Sequence, residues 1–514
     1  MTLFFYDFSV GNQNQSKSNK NDHYDVAIIG AGINGAVAAA AASAAGLRVL
    51  VVDKGDIANF TSQESSNLVW GGIKYLQTYE FGLVIKLCLA RNRLMRNYPN
   101  QIRQIGFLAS LGPTAPFGRL LGTFGTLFYW GIGFFGTKAP ASYSAAAAKR
   151  LEPNLISGRT AIKYYDAQLP DNDSRFVFDF IRHAIKHGSD VRTYTTLNSA
   201  THDGTLWALK LSGSGATTVS ATTVINATGP FVKEVSEILG SPTKAGLVMS
   251  KGIHLVLDRK LTDTYQVLAF WDEQERLFYV LPMGDRSMVG TTDTRVQDPK
   301  TAVTREDRDF VIKQINAQME LETPITSKDV VSERSGVRPL VVAAGDSGEV
   351  QDWHQLSRKH VVEVDKELSV VTILGGKLTD CLNVGQEMVH ELSKLGHKVN
   401  KLKNWFGEGS QVRKEEFYQL VASRSDQKTF QSIADGIWRR HGEAGFEIVG
   451  ESQLTELIAG LGITEQEVRH IALAEMITTR EDLLRRRLPV KMSRSDKELA
   501  TNKPLEKLLV ELGL

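Results

Sequence analysis

The chain has 514 residues, which at roughly 150 residues per domain predicts two or three domains. Its composition, 42% hydrophobic and 23% charged, is typical of globular proteins and excludes a disordered or fibrous chain. Sixty lysines and arginines balance 58 aspartates and glutamates, so the charge does not favour nucleic acid as a partner. Cys88 and Cys381 are the two cysteines, which excludes a disulfide scaffold and a cysteine-rich zinc site and is typical of a reducing compartment.

The first 22 residues are predicted to be a disordered lead-in. Residues 9–22 are almost entirely polar and cannot bury enough apolar surface to fold. Residues 1–8 are rich in aromatic side chains, but no basic region precedes them and no small-residue cleavage site follows them. This pattern is not that of a secretory signal.

Residues 24–53 have the pattern of a strand–helix–strand unit. An apolar, β-branched run at 24–30 indicates a buried parallel strand, and the alanine-rich run at 34–45 indicates a buried helix. A second apolar strand follows at 47–53. A βαβ unit of this size is typical of nucleotide-binding folds.

The turn of this unit carries a dinucleotide-binding motif. Gly30, Gly32 and Gly35 fit the pattern G-x-G-x-x-G between the strand and the helix. These glycines allow a tight turn, a close approach of the backbone to a pyrophosphate, and close packing of helix on strand. Asp53 ends the next strand 23 residues after Gly30, where an acid binds a ribose hydroxyl. A second match at 131–136 follows no strand and is interpreted as chance.

Three later segments favour FAD over NAD as the dinucleotide. Residues 61–66 are dense in hydroxyls that can donate to phosphates and flavin edges. A strand runs into a glycine turn at 226–229, and Gly375-Gly376-Lys377 stands between a strand and a helix. One cofactor contacted by several distant segments is more consistent with the longer FAD.

The predicted fold class is α/β, with a Rossmann-like FAD-binding domain, an antiparallel β-sheet substrate domain and a C-terminal α-helical domain. Short alternating runs between 247 and 296 indicate antiparallel strands, and strand signals stop beyond residue 405. We therefore expect the FAD-binding domain at 23–235 with 355–400 returning to it, a substrate or cap domain at 236–354, and the helical domain at 401–514.

Eight segments together resemble the FAD-dependent, quinone-linked glycerol-3-phosphate dehydrogenases of the D-amino-acid-oxidase-like flavoprotein superfamily. The resemblance covers about residues 22–490, and the order and spacing of its pieces make it specific to this family. The segments are YDVAIIGAGINGA, TSQESSNLVWGGIKYLQTYEF, INATGPFV, SKGIHLVL, FYVLPMGDRSMVGTTDT, SGVRPL, GGKLTD and EMITTREDLLRRR.

The resemblance implies a reaction and a set of site residues. The family oxidises the C2 hydroxyl of sn-glycerol 3-phosphate to dihydroxyacetone phosphate: a base takes the hydroxyl proton, hydride passes to flavin N5, and electrons leave to quinone at the membrane surface. His254 falls at the position of the expected base and Arg338 at that of the flavin-side arginine. Substrate contacts are expected from Lys74, Tyr75, Arg358, Lys377 and Thr379. FAD contacts are expected from Gly30, Gly32, Gly35, Asp53, Thr61, Ser62, Gly71, Gly72, Gly229 and Gly376. No metal site is expected.

Three positions depart from the usual family pattern. Trp70 replaces a histidine, and Lys74 replaces an arginine, which keeps the charge but loses the bidentate fork. Asp380 stands where a threonine is common and places an acid close to the expected phosphate site. These changes leave a related hydroxy compound open as the substrate.

The region 80–136 predicts peripheral association with the inner face of the membrane from the cytoplasmic side. Arg91, Arg93, Arg96 and Arg119 flank an aromatic, weakly polar stretch at 117–136, and ordinary core packing is the alternative. Two other functions stay open: an oxidase of the same superfamily that passes electrons to oxygen, with an amine or hydroxy-acid substrate, and a catalytically silent flavin-binding protein.

Overall fold

The computed structural model describes residues 23–342 and 359–514. The predicted lead-in and Arg358 lie outside these ranges. The strands are β1 His23–Ile29, β2 Val49–Val52, β3 Leu68–Val69, β4 Arg103–Leu111, β5 Ala141–Tyr143, β6 Thr160–Gln168, β7 Asp190–Arg192, β8 Thr195–His202, β9 Trp207–Gly213, β10 Thr217–Asn226, β11 Gly246–Leu257, β12 Gln266–Trp271, β13 Leu277–Met283, β14 Arg286–Gly290, β15 Thr294–Val296, β16 Val330–Val342, β17 His360–Asp365, β18 Val370–Gly375, β19 Glu456–Ile458 and β20 Ile463–Thr464.

The described helices lie on the sheets and continue through the C-terminal region. They are α1 Ile33–Ala44, α2 Phe81–Asn97, α3 Arg119–Ile132, α4 Ala145–Leu151, α5 Asp173–Lys186, α6 Val232–Ile238, α7 Arg305–Gln318, α8 Cys381–Lys394, α9 Lys414–Ser423, α10 Phe430–His441, α11 Gly445–Val449, α12 Glu465–Ala474, α13 Val490–Ser493, α14 Asp496–Thr501 and α15 Lys503–Glu511. A π-helical segment, Asp482–Arg487, precedes α13.

The first sheet has the strand order β17-β18-β10-β1-β2-β7, with β9 and β8 added beside β10. Strands β18, β10, β1, β2 and β7 pair in parallel, as the βαβ pattern predicts. Ala36 and the alanines at 38–42 of α1 are fully buried between this sheet and helices α5 and α8. Small side chains are needed there, because a Cβ on Gly385 of α8 would come within 3.0 Å of the Val37 carbonyl oxygen.

The second sheet is largely antiparallel and has ten strands, in the order β15-β11-β14-β13-β12-β4-β6-β3, with β16 on β11 and β5 on β6. Strands β3 to β6 of this sheet lie within residues 23–235, which were predicted to form the FAD-binding domain alone. The chain therefore crosses between the two sheets more often than the predicted domain limits imply. The long pair β11–β16 runs from Gly246 opposite Val342 to Leu257 opposite Val330. It places the SKGIH and SGVRP segments side by side.

The C-terminal region is helical from α9 to α15 and has two apolar cores of its own. A short pair, β19–β20, interrupts the helices, which the sequence patterns beyond residue 405 do not indicate. The predicted fold class is confirmed: a mixed α/β architecture is followed by a helical region. No helix within the described ranges combines the length and the hydrophobicity needed to cross a membrane.

Candidate active site

The glycine turn between β1 and α1 has two glycines that the chain's own packing requires. Gly30 has φ +100°, and a Cβ there would lie 2.7 Å from the Ala227 carbonyl oxygen at the end of β10. A Cβ on Gly35 would lie 1.9 Å from the Gly30 carbonyl oxygen. These two glycines therefore let β1, β10 and α1 approach each other closely.

Gly32 differs from its two neighbours in the motif. It is the N-cap of α1 with φ −70° and ψ −176°, a conformation that any residue adopts, and a Cβ would approach only the Ser62 hydroxyl, at 3.2 Å. The chain itself hardly needs a glycine here. A ligand that comes against the backbone at this helix terminus does need one.

The groups around Gly32 are those that a dinucleotide requires. The Ser62 hydroxyl accepts a hydrogen bond from the Ile33 amide at 3.0 Å in the first turn of α1. The Asp53 carboxylate is half-buried and accepts hydrogen bonds from the amides of Ala31 and Gly55, at 2.7 and 2.9 Å. Burial raises the pKa of Asp53 against these two hydrogen bonds. The cradle therefore suits a pyrophosphate at α1 and a ribose near Asp53.

Two further turns, at Gly375-Gly376 and at Gly229, were predicted to contact the cofactor. The Asn34 side-chain amide donates to the Gly375 carbonyl at 3.0 Å, which fixes the Gly375-Gly376 turn beside the start of α1. Gly376 has φ +103° and faces Asn34 and His360. Gly229 has φ +58°, and a Cβ added there would have no described atom within 4 Å. Both turns have the left-handed backbone that glycine favours.

The paired strands β11 and β16 carry the predicted catalytic residues on one face. His254 lies opposite Arg334, and Ser250 lies opposite Arg338. Side chains of directly opposite residues point to the same side of a sheet, so all four share a face. Between the two pairs, Gly252 lies opposite Gly336, and the Arg338 guanidinium covers Gly252, where a Cβ would be 2.2 Å from Nη2.

Arg338 is oriented by the turn that follows β14. Its Nη2 donates to the Thr291 hydroxyl at 2.9 Å, and its Nη1 lies 3.6 Å from an Asp293 carboxylate oxygen. The Ser250 hydroxyl donates to the same Asp293 oxygen. About a quarter of the Arg338 side chain is exposed, so the guanidinium is both held in place and accessible.

His254 is completely buried, with 0% of its surface exposed. Its Nε2 lies 2.9 Å from the Ser66 hydroxyl. Burial, together with the positive charges of Arg334 and Arg338, holds the pKa of His254 well below its usual range. The imidazole is therefore neutral at physiological pH, so one of its ring nitrogens carries no proton and can accept a hydrogen bond.

The loop at 61–66 joins the cofactor cradle to the catalytic strands. The Thr61 hydroxyl donates to the Val337 carbonyl of β16 at 2.7 Å. Asp173, at the start of α5, accepts from both the amide and the hydroxyl of Ser65, at 2.9 and 2.8 Å, and also from Arg334 Nη2 at 2.9 Å. Arg334 donates in addition to the Gln63 carbonyl at 2.5 Å. This buried network fixes the loop on the face that carries His254.

The C-terminal region completes that network. Arg485 in the π-helical segment donates to the Gln63 carbonyl, and its Nη1 lies 3.7 Å from Asp173. Arg486 and Arg487 both pair with the fully buried Asp56, with nearest distances of 2.7 and 2.8 Å. Three consecutive arginines thus anchor the helical region against the cofactor-binding part of the chain.

The predicted substrate residues of the two distant loops lie together. The Lys377 ammonium stands 3.9 Å from the Tyr75 ring centre and 5.9 Å from that of Trp70. The Thr379 hydroxyl accepts from the Trp70 amide at 3.1 Å and lies 3.2 Å from the Trp70 carbonyl. Lys74 is half-buried in the same segment. The structure therefore joins residues 70–75 to 377–379.

Asp380 does not present an isolated negative charge to this site. Its carboxylate lies 2.9 Å from His360 Nδ1 and 3.1 Å from the Lys86 ammonium, and it accepts from Asn383 at 2.5 Å. Although burial opposes ionisation, the bonds from His360 and Asn383 and the charge of Lys86 lower the pKa of Asp380. Two basic side chains thus neutralise the acid that replaces the usual threonine.

The structure overturns one sequence interpretation, that of Arg91, and shows what surrounds Gly71. Gly71 packs against buried side chains, since a Cβ there would lie 2.1 Å from the Tyr129 hydroxyl, and its amide donates to Asp166 at 3.0 Å. Arg91 is 1% exposed and pairs with Asp166 at 2.5 Å. Arg91 therefore cannot belong to the basic membrane-facing surface that the sequence suggests.

Comparisons with known proteins agree with this geometry. The family model for FAD-dependent oxidoreductases matches residues 25–372. The aerobic glycerol-3-phosphate dehydrogenase of Staphylococcus aureus is 30% identical over 394 residues, 74% of this chain and 68% of that protein. The chain belongs to the FAD-dependent oxidoreductase family. The resemblance to glycerol-3-phosphate dehydrogenases and the predicted FAD cofactor are both confirmed.

Solved structures show the same fold. The glycerol-3-phosphate dehydrogenase from Bacillus halodurans, complexed with FAD, is 19% identical with a TM-score of 0.69 and covers 96% of this chain and 91% of that one. L-alpha-glycerophosphate oxidase from Mycoplasma pneumoniae, with FAD bound, is 16% identical with a TM-score of 0.58 and covers 75% and 98%. The cradle at Gly32, Ser62 and Asp53 is where this flavoprotein would hold FAD.

Sequence reasoning missed Ser66, Arg334, Asp173 and Arg485. Two signals could have found some of them. Arg334 precedes Arg338 by four residues in a strand, and the two-residue period places both on one face. Ser66 belongs to the hydroxyl-dense run at 61–66. Asp173 and Arg485 have no local signal, because their partners are distant along the chain.

Proposed function

We propose that this flavoprotein oxidises the C2 hydroxyl of sn-glycerol 3-phosphate to dihydroxyacetone phosphate. The observation that carries the proposal is the shared face of β11 and β16, where a buried neutral histidine and a partly exposed arginine lie together beside the cofactor loop. The relatives named for this reaction support the choice of substrate. Bound FAD supplies the hydride acceptor.

The phosphate is assigned to the cationic side chains. Arg338 is fixed by Thr291 and Asp293, so its guanidinium can form a bidentate pair with a phosphate at little cost in side-chain entropy. Lys377 lies over the Tyr75 ring in the turn that packs on β16 next to Pro339. Lys74 is the third cation. Charge-assisted hydrogen bonds from these groups orient C2 towards the flavin and His254.

The electron acceptor is proposed to be quinone at a membrane surface. Helix α3 and residues 134–135 expose large apolar side chains, including Leu120 at 74%, Phe124 at 62% and Phe135 at 63%. Arg96 and Arg119 are exposed in the same region. An apolar surface flanked by basic side chains suits peripheral binding to a bilayer with anionic lipids.

Flavin reduction without oxygen tests the substrate. The purified protein is mixed anaerobically with sn-glycerol 3-phosphate, with glycerol and with glycine, and the loss of flavin absorbance is followed. We expect rapid bleaching with sn-glycerol 3-phosphate alone. Bleaching by glycine, or by glycerol as fast as by its phosphate, would contradict the proposal.

The acceptor and the membrane are tested separately. Turnover with a soluble quinone is compared with oxygen uptake and peroxide release; peroxide as the main product would make the protein an oxidase. Flotation with vesicles containing anionic lipid is compared for the wild type and the double variant Leu120→Ser, Phe124→Ser. We expect the variant to stay unbound while its flavin reduction is unchanged.

A further inference from the structure

His254 has no surface with which to touch a substrate. Its ring is covered by β14, since a Cβ on Gly290 would lie 2.8 Å from Cδ2, and its Nδ1 has no hydrogen-bond partner among the described residues. Its Nε2 lies 2.9 Å from the Ser66 hydroxyl. Within the described residues, Ser66 is thus the hydrogen-bonding connection between the imidazole and the rest of the protein.

Ser66 links His254 to the loop that begins at the dinucleotide cradle. Its side chain is half-buried at the end of the loop 61–66, which begins at the dinucleotide cradle and is tied to β16 by Thr61. The neighbouring Ser65 is held by Asp173 through both its amide and its hydroxyl, so the loop has little freedom to move. A serine hydroxyl can accept one hydrogen bond and donate another at the same time.

We propose that Ser66 is a catalytic residue that passes the substrate proton to His254. The inference rests on the proposed function. As the C2 hydroxyl of the substrate loses its proton to Ser66 Oγ, the original Ser66 proton moves to His254 Nε2. The serine ends as a neutral hydroxyl and the imidazole is protonated. Bound FAD would supply the acceptor for the C2 hydride and its electron pair.

The charged groups around His254 favour its neutral form, so protonation of the imidazole would be short-lived. Arg334 and Arg338 lie on the same face of β16, and Asp173 and Glu64 are engaged mainly with Arg334 and Arg485. On the β14 side, Gly290 lies directly opposite His254. An imidazolium between two guanidiniums is disfavoured, so the proton returns through Ser66 once the product has left. This route requires the tautomer with Nδ1 protonated and Nε2 free to accept.

A double-mutant cycle tests the relay with sn-glycerol 3-phosphate as the substrate. The rate of anaerobic flavin reduction is measured for Ser66→Ala, His254→Gln and the double variant. Because the two residues act as one unit, we expect each single change to lower the rate about 10²–10⁴-fold and the double variant to be no slower than the slower single one. FAD content and KM should change little, and Ser66→Thr should recover most of the rate.

The control separates loss of the relay from loss of loop structure. Ser65→Ala removes the adjacent hydroxyl, which binds Asp173 and not His254. We expect it to lower thermal stability without changing the pH profile of flavin reduction, whereas Ser66→Ala should change that profile. Retention of near wild-type rate by Ser66→Ala, or losses that multiply in the double variant, would overturn the relay. Failure of the wild type to be reduced would instead contradict the proposed function.

A measurement on the intact wild type keeps the inference testable if a variant fails to fold. In protein labelled with ¹⁵N-histidine, the His254 signals are those absent from His254→Gln. The relay predicts a protonated Nδ1 and an unprotonated Nε2 at pH 7, with the Nε2 signal shifting in Ser66→Ala. A protonated Nε2 would overturn it, whatever the activity.

Discussion

The cofactor cradle and the substrate face are built in opposite ways. The cradle at Gly30–Gly35 consists of backbone, small residues and a few hydroxyl and carboxylate groups within about 40 residues of chain. The substrate face consists of charged side chains from β11, β16 and the 375–379 turn, each fixed by partners from distant segments. The start of the dinucleotide cradle is therefore set mainly by local geometry, whereas the proposed substrate site consists of charges that distant segments orient.

The loop at 61–66 belongs to both regions. Ser62 accepts a hydrogen bond from the first turn of α1, and Thr61 donates one to β16. Ser66 is hydrogen-bonded to His254. Below the loop, Asp173 pairs with Arg334 and Arg485. The position of His254 relative to the cofactor cradle thus depends on a buried charge network that includes the C-terminal region.

Gly32→Val should produce the largest effect and tests whether the cradle serves a ligand. The backbone at Gly32 tolerates a side chain, and the nearest obstacle is the Ser62 hydroxyl. We expect a folded but colourless protein with no bound FAD, measured by circular dichroism and flavin absorbance. Gly35→Ala is the contrast: its Cβ would overlap the Gly30 carbonyl, so it should fail to fold. A Gly32→Val protein with stoichiometric FAD would disprove the assignment.

Asp173→Ala tests the network beneath the substrate face. Removing one partner of a buried ion pair leaves Arg334 and Arg485 without their shared carboxylate, which costs about 3–5 kcal/mol. We expect the Tm to fall by roughly 3–5 °C and FAD to be lost more readily, because Ser65 is released. Asp309→Ala is the matched control, since that carboxylate pairs with Arg305 on the surface. Equal Tm values for both variants would contradict the role of the network.

Arg338→Ala and Lys74→Ala compare two cations of the proposed phosphate site. Arg338 is held by neighbouring side chains, whereas Lys74 replaces the arginine that is usual in the family. Loss of a charge-assisted hydrogen bond of about 1.5–3 kcal/mol corresponds to a roughly 10- to 150-fold fall in kcat/KM. We expect the larger fall for Arg338→Ala, because the guanidinium also orients the phosphate. Lys74→Arg should raise kcat/KM with sn-glycerol 3-phosphate. The control is Arg305→Ala, whose side chain is 84% exposed; unchanged kcat/KM in Arg338→Ala would remove it from the site.

The contrast between the two regions explains what the sequence could predict. The cradle depends on glycine spacing and hydrophobic period over residues 24–53, and both are properties of contiguous sequence. The roles of His254, Arg338 and Lys377 came from family resemblance instead. Their proximity depends on the β11–β16 register and on the contact of the 375–377 turn with the ends of α1 and β16.

Buried charges were the least predictable feature. Arg91 looks like a surface residue in a helical sequence, yet its partner Asp166 lies 75 residues away on β6. Arg485 reaches the Gln63 carbonyl across 422 residues. Whether a charged residue is buried can be predicted only if its partner is known. Neither of these contacts produces a periodic pattern in the sequence.

The smallest expected effect concerns the pH dependence of the turn that carries Lys377. His360 lies 2.9 Å from Asp380 and 2.6 Å from Glu387. Burial disfavours its charged form, but the hydrogen bonds to both carboxylates prevail and raise the pKa of His360. Its contribution to stability is therefore complete below the unfolded pKa of about 6.5 and is lost as the pH rises through the folded pKa.

The pKa of Asp380 is lowered, so its contribution has the opposite dependence. It is complete above about pH 3.9 and disappears as the pH falls through the folded pKa. The pair should stabilise the protein most between about pH 4 and 6.5.

We expect the Tm of His360→Gln to lie further below that of the wild type at pH 6 than at pH 9. Asp380→Asn should reduce this difference at pH 6, because His360 then keeps only Glu387 of its two carboxylate partners. A difference between wild type and His360→Gln that grows towards pH 9 would mean that His360 is buried as the neutral form, and that the acid at position 380 is balanced by Lys86 instead.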